Sequence, residues 1–321
     1  MPARTAGPTS PRSANGAIGR APGQRAAHRV RSSLTGIAIL TACVPVAAAC
    51  VPPGPPPPPP DTYVALGDSF SAGTFIANQA PPSGCFKSDH SYPRLAAPSI
   101  KLSRFVDVSC SGATTDHMTQ PQPLLIGGPN PPQLDALDNM TGIVTLTIGG
   151  NDVGYWSTIA DACRSTTAVG TPCQDQFVVN GQDTISQRIA GAAPKVATVL
   201  DLIHQRAPRA GVFVLSYEAI FPEGPLTPGG PEGCYPQLPY APGDVPYLRA
   251  KQREINAMIQ QQAAAHGATF VDAYAASIGH DACRSAAVRW VEPTSVQGVG
   301  FALHPNVAGM AGARDALLAL L

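Results

Sequence analysis

The first 60 residues contain no aspartate or glutamate, which sets them apart from everything that follows. They carry six arginines, a short apolar stretch and a proline run. Beyond them lie 15 of the 21 basic residues and all 21 acidic ones, so residues 61–321 hold about six net negative charges although the whole chain is formally neutral. Without a basic excess there is no electrostatic footprint for nucleic acid. Residues 61–321 also lack an internal repeat and any apolar run long enough to cross a bilayer, and no second domain is required. No Cys-x-x-Cys pair is present, which argues against metal ligation by thiolates.

What the N-terminus does have is the layout of an export signal over residues 1–50. Arg25, Arg29 and Arg31 precede the apolar run Leu34–Leu40, and small residues follow. That apolar core is much too short for a transmembrane anchor. Two cleavage readings stay open. Leu40-Thr41-Ala42-Cys43 has the form of a lipobox and would make Cys43 a lipidated N-terminus, whereas Ala47-Ala48-Ala49 suits ordinary signal peptidase. Residues 51–60 form a stiff proline-rich linker, read as a tether. The expected location is therefore outside the cytoplasm, either secreted or attached to the cell envelope, with contact to a membrane only through a lipid on Cys43.

Six cysteines remain after Cys43 and Cys50: Cys85, Cys110, Cys163, Cys173, Cys234 and Cys283. An even set behind an export signal predicts disulfides, for which fifteen pairings exist.

Five continuous apolar segments read as strands covered on both faces: Thr62–Leu66, Arg104–Ser109, Ile143–Ile148, Gly211–Ser216 and Ala268–Asp272. Between and after them, apolar residues recur at helical spacing over Ile185–Arg206, Val245–His266 and Val307–Leu320, with Gly267 suited to stop the second helix. Strand and helix alternation implies parallel strands joined by right-handed crossovers, hence one α/β domain over residues 61–321, a three-layer α/β/α sandwich with a five-stranded parallel sheet. Two long loops rich in proline and glycine, Pro222–Pro246 and Asp281–Ala302, each contain a cysteine and read as a tied rim.

The chemistry is concentrated at strand ends. The first strand runs into Gly67-Asp68-Ser69, which exposes a hydroxyl at the sheet edge where reactive groups collect. Leu146-Thr147-Ile148-Gly149-Gly150-Asn151-Asp152 is a second apolar strand ending in a glycine turn, here with a side-chain amide. Cys110-Ser111-Gly112-Ala113-Thr114 follows another strand, and His304-Pro305-Asn306 precedes the last helix. Taken alone, each has an ordinary structural use: turn punctuation for Gly-Asp-Ser, a tight turn for Gly112, a cap for Asn151. In this order, Ser69, Gly112, Asn151 and His304 resemble the four blocks of the SGNH (GDSL) esterase and lipase family.

That resemblance implies a flavodoxin-like SGNH hydrolase fold, with Ser69 as nucleophile and His304 as its base, and an oxyanion hole made by the Ser69 and Gly112 N–H groups and the Asn151 amide. It implies no cofactor and no metal. Asp68 and Asp152 are expected to orient loops and not to carry protons. Many members place an aspartate three residues before the histidine, where this chain has Phe301. Some relatives use a main-chain carbonyl, so a backbone C=O at Phe301 is the expected support for His304, with Glu292 or Asp281 as substitutes from the loop. Pairing neighbouring cysteines gives Cys85–Cys110, Cys163–Cys173 and Cys234–Cys283, whose separations resemble the three bridges of the secreted actinobacterial lipase branch. The implied function is an exported esterase or lipase acting, as a monomer, on lipid or short-to-medium acyl esters. The alternatives are a carbohydrate acetyl-esterase and a non-catalytic cell-envelope binding protein on the same fold.

Overall fold

The computed structural model describes residues 57–321. The export segment, Cys43 and most of the proline-rich linker lie outside the described residues. Within them, five parallel strands form the central sheet: β1 (Thr62–Ala65), β2 (Arg104–Asp107), β3 (Thr141–Leu146), β4 (Gly211–Leu215) and β5 (Thr269–Val271). Their order is β2-β1-β3-β4-β5. The longer helices are α1 (Tyr92–Ile100), α2 (Thr184–Arg206), α3 (Val245–Ala265) and α4 (Val307–Leu318).

Alternate strand residues explain the three layers. On β4, Val212 and Val214 face one way and join Val196, Leu200, Ile255 and Ile259 of α2 and α3. Phe213 and Leu215 face the other way and join Tyr92, Ala96, Met310, Ala313 and Leu317 of α1 and α4. Both faces of an inner strand are thus buried, which is why its sequence is apolar without a break. Each such aliphatic side chain contributes about 1.5–3 kcal/mol by leaving water. The edge strand β2 is less buried, beginning on the exposed Arg104.

Helix ends follow local chemistry. Asp183 caps α2 by accepting from the Ile185 and Ser186 N–H groups at 2.9 and 3.2 Å. After α3, Gly267 takes the left-handed conformation (φ 70°), as expected of a glycine stop. Among the described residues no helix is long and apolar enough to cross a membrane.

The strands end earlier than the apolar runs do. Past Ala65 the chain keeps single bonds to its neighbours, Leu66 N–H to the Thr145 carbonyl (2.9 Å) and Asp68 N–H to the Thr147 carbonyl (3.0 Å). The ladder opens there because the backbone is turning out of the sheet. β1 and β3 are adjacent while the chain between them detours through β2, so their C-terminal ends flank the crevice where α/β sheets bind ligands.

Three disulfides join Cys85 to Cys110, Cys163 to Cys173 and Cys234 to Cys283. The first holds the turn beside Ser111, whose N–H also donates to the Cys85 carbonyl at 3.1 Å. The third ties the two long rim loops together.

Candidate active site

Gly67 makes the first turn. Its φ of 125° suits only glycine, and a Cβ there would lie 2.5 Å from Ser71 Oγ and 2.6 Å from the Thr147 carbonyl. The buried Gln133 side chain clamps this residue on both sides, accepting from Gly67 N–H at 2.7 Å and donating to its carbonyl at 2.9 Å. Asp68 then caps the short helix Ser69–Ala72, accepting from Phe70 N–H. Its carboxylate also accepts from Thr147 Oγ1 (2.8 Å) and the Tyr217 hydroxyl (2.6 Å). Burial raises the Asp68 pKa to about 6, against the pull of those three donors. Tyr217 in turn accepts from Gly150 N–H at 2.9 Å, which links the Gly-Asp-Ser turn to the turn after β3.

Ser69 Oγ lies 2.8 Å from His304 Nε2, although the two are 235 residues apart in sequence. On the far side of the ring, His304 Nδ1–H donates to the Ala302 carbonyl at 2.7 Å. A carbonyl can only accept, so the proton sits on Nδ1 and the Nε2 lone pair faces the serine hydroxyl. The ring is 4% exposed and burial lowers its pKa to about 4, with the Ala302 carbonyl partly opposing that shift. It is neutral, and therefore basic, at any pH well above that. Phe70 and Phe301 pack against it at 4.8 and 5.1 Å between ring centres.

The expected backbone support at Phe301 is corrected by one residue. The Phe301 carbonyl accepts the main-chain N–H of His304 at 3.1 Å and closes a turn, while the ring bonds the next carbonyl along. Leu303 is left-handed (φ 61°), and the reversal there brings the Ala302 carbonyl to the ring. Neither Glu292 nor Asp281 bonds the ring. Glu292 accepts from Arg289 Nε and Nη2 (2.9 and 2.6 Å) and from Asn306 Nδ2 (2.8 Å), while Asp281 accepts from Cys283 N–H and Arg284. Glu292 acts through the backbone: its carbonyl accepts Leu303 N–H at 2.7 Å and its N–H donates to the His304 carbonyl at 3.0 Å. Asn306 caps α4 through Ala308 and Gly309 N–H, which accounts for the Pro-Asn after the histidine.

Gly112 and Asn151 border the same cavity of about 420 Å³ as Ser69 and His304, with Trp156, Ala160, Tyr240 and Phe301 on its apolar sides. Asn151 Nδ2 donates one proton to the Ala113 carbonyl at 2.9 Å, which leaves the second for the cavity. Among the described residues neither Ser69 N–H nor Gly112 N–H has a hydrogen-bond acceptor. Gln122 Nε2 donates to the Ser111 carbonyl at 2.8 Å. That carbonyl shares a trans peptide plane with Gly112 N–H and points opposite to it, so Gln122 fixes the direction of the glycine donor. Asp152 accepts from Thr115 N–H at 3.0 Å and from the Thr115 hydroxyl, and so anchors the turn after Gly112.

Sequence reading missed Ala302, Gln122, Gln133 and Tyr217. Tyr217 had a signal, since it lies just past an apolar strand on the ligand-binding edge. Trp156 was also missed; a Cβ on Gly150 would overlap its ring, so the second glycine of Gly149-Gly150 makes room for it. Among the described residues no cluster of three or more His, Cys, Asp or Glu side chains could hold a metal.

Known proteins resemble this chain in sequence and in fold. The GDSL-like lipase/acylhydrolase family matches residues 65–311. Lipase 2 of Streptomyces coelicolor is 37% identical over 252 residues, 77% of this chain and 81% of that protein. The crystal structure of phospholipase A1 from Streptomyces albidoflavus superposes with a TM-score of 0.66 at 26% identity, covering 81% of this chain and 98% of that one. The extracellular lipase of Streptomyces rimosus gives a TM-score of 0.62 at 28% identity, covering 81% and 99%. The chain therefore belongs to the GDSL-like lipase/acylhydrolase family and is a carboxylic-ester hydrolase.

Proposed function

We propose that Ser69 is the nucleophile of a serine esterase or lipase in which His304 acts as general base, backed by the Ala302 carbonyl and by no carboxylate. The observation that carries this reading is the chain of two hydrogen bonds, Ser69 Oγ to His304 Nε2 at 2.8 Å and His304 Nδ1 to the Ala302 carbonyl at 2.7 Å. As Ser69 attacks an ester carbonyl, its proton passes to Nε2; the imidazolium then returns it to the departing alcohol, leaving an acyl-enzyme. Water enters, gives a proton to the same nitrogen and releases the acid. The charge on the tetrahedral oxygen is met by Ser69 N–H, Gly112 N–H and Asn151 Nδ2, held in place before the reaction starts.

The substrates are lipid or short-to-medium acyl esters. The apolar side of the cavity and the lipases and phospholipase A1 among the similar proteins support this choice. The three disulfides suit an oxidising, extracytoplasmic compartment. In this reading residues 1–50 are the export signal, residues 51–60 hold the domain off a surface, and Cys43 is the candidate lipidation site. Mass spectrometry of the mature N-terminus separates a lipid anchor on Cys43 from free secretion after Ala49.

The test is hydrolysis of p-nitrophenyl esters from acetyl to palmitoyl by the oxidised protein beside Ser69→Ala. Loss of about 10⁴-fold or more in kcat, with acyl groups longer than acetyl accepted by the wild type, is the expected result. Strict acetyl specificity would instead identify a carbohydrate acetyl-esterase. A folded wild type inert to every ester, and unlabelled by a fluorophosphonate, would be a binding protein.

A further inference from the structure

Beside the reaction cavity lies a second and larger one, of about 670 Å³, that the proposed chemistry does not use. It forms where the segment after the Ser69 helix crosses the rim loop. Gly298 N–H donates to the Phe75 carbonyl and Ala77 N–H donates to the Gly298 carbonyl, both at 3.0 Å. Phe75, Ile76 and Phe86 supply its apolar lining, and no charged side chain or histidine borders it.

The two cavities are neighbours. Ser295 borders both. The Phe75 ring meets Phe301, on the reaction side, edge to face at 5.1 Å and meets Phe86 in the same way at 5.1 Å. An aromatic partition therefore stands between them.

Backbone conformation singles out the same place. Among the described residues six non-glycine positions have positive φ, and three of them line this one cavity: Phe75 (63°), Asn78 (58°) and Phe86 (51°). A bulky side chain in that region is an outlier that persists only where its surroundings hold it, and such outliers gather at functional sites. Here the unfavourable turns place two phenyl rings on the cavity wall.

We propose that this cavity holds the second apolar chain of a two-chain ester whose other ester bond lies at Ser69. The inference rests on the assignment of Ser69 and His304 made above and adds the class of substrate. An uncharged, phenyl-lined space gains by taking hydrocarbon out of water. One acyl chain leaving Ser69 would have to pass through packed rings to reach it, whereas two chains diverging from one alcohol straddle them. The side chains of Asn78 and Gln297, also on its lining, offer donors to the polar junction between such chains.

The experiment fills the cavity with Ala77→Trp or, from the rim loop, Gln297→Trp. Both positions are exposed, and neither residue borders the reaction cavity. Substrates are 1,2-dioctanoylglycerol, 1-octanoylglycerol, p-nitrophenyl octanoate and p-nitrophenyl palmitate. In whichever variant keeps the wild-type melting profile, kcat/KM for dioctanoylglycerol is expected to fall about tenfold or more, with both single-chain octanoates held within about twofold. An equal loss on palmitate would assign the cavity to the tail of the cleaved chain and overturn the inference. So would unchanged rates on all four esters, equal loss on all four, or a wild type that hydrolyses p-nitrophenyl octanoate but not dioctanoylglycerol. A wild type inert to every ester would remove the Ser69 assignment itself, a different failure from these.

Discussion

The two sides of the reaction site are built by opposite means. Ser69, Gly112 and Asn151 stand on short turns at the ends of three adjacent parallel strands, with the sheet itself fixing their spacing. His304 stands on a long loop with no strand of the sheet beneath it and reaches its place through Glu292, Asn306 and the start of α4. The Ser69 side is held by structure that is local and layered. The His304 side is held by a buried carboxylate that gathers Arg289, Asn306 and the backbone around the histidine. Precision at a site can thus come from a scaffold or from a knot of polar bonds, and the two should fail differently.

Asn151→Ala probes the sheet-borne side and should, after Ser69→Ala, have the largest effect. Losing one donor to the oxyanion is expected to lower kcat by about 10²–10³, with KM little changed. Glu292→Gln probes the loop-borne side. It keeps the shape but removes the charge facing Arg289, and a loss of about 1.5–3 kcal/mol in stability to urea is expected together with a fall in kcat. If it lowered kcat with no change in stability, the knot would not be what holds His304.

Gln122→Leu sharpens the contrast within the sheet-borne side. With the Ser111 carbonyl released, kcat should fall about fivefold while KM holds, since about 1 kcal/mol is typical of one such bond. The affinity for a boronic acid mimic of the tetrahedral intermediate should fall by the same factor. Equal affinity for the mimic would mean that Gly112 needs no help in pointing its N–H.

The last comparison is in pH. His304 titrates at about 4, so kcat/KM should keep its plateau well below pH 6.5 and show its acid limb near 4. The linked stability has a definite sign. The unfolded histidine takes its proton near 6.5 and the folded one only near 4, so this contribution is present above pH 6.5 and is lost as pH falls through that window. Glu218, raised by burial from 4.5 to about 8, has the opposite sign: its contribution is present below 4.5 and is lost as pH rises through 8. Urea midpoints of Glu218→Gln should therefore exceed those of the wild type at pH 8 and not at pH 4.5. An acid limb of activity between pH 6 and 7 would show a hydrated ring and would break the picture of a buried base supported by a carbonyl.

What could be read from the sequence follows the same division. Ser69, Gly112 and Asn151 each sit at a glycine turn after a strand-like run, a local signal that marks the sheet edge, but their roles were legible only through the resemblance to the SGNH family. The five strands were legible from that local signal, though the runs continue past Ala65 and Asp107 into turns where burial persists after pairing stops. His304 had a weaker local signal, its Pro-Asn and the helix behind it, and its reading as the base rested on the same resemblance. Its carbonyl partner was misplaced by one residue because the turn depends on a left-handed Leu303, which nothing in leucine's preferences announces. Gln122 and Gln133 were illegible because glutamine is ordinarily a surface residue, and only the fold reveals that these two are buried.

Gln133 on Gly67 has counterparts elsewhere along the same edge. Asn256 accepts from Tyr217 N–H and donates to the Tyr217 carbonyl, each at 3.0 Å, and Gln252 does the same work between Ile220 N–H and the Glu218 carbonyl. Where the chain leaves the sheet, side-chain amides take the place of the missing neighbouring strand. An amide carries no net charge, and counterions have nothing there to screen. The edge that bears Ser69 is consequently built to keep its shape in brine, while exposed ion pairs such as Arg206 with Asp135 weaken around it.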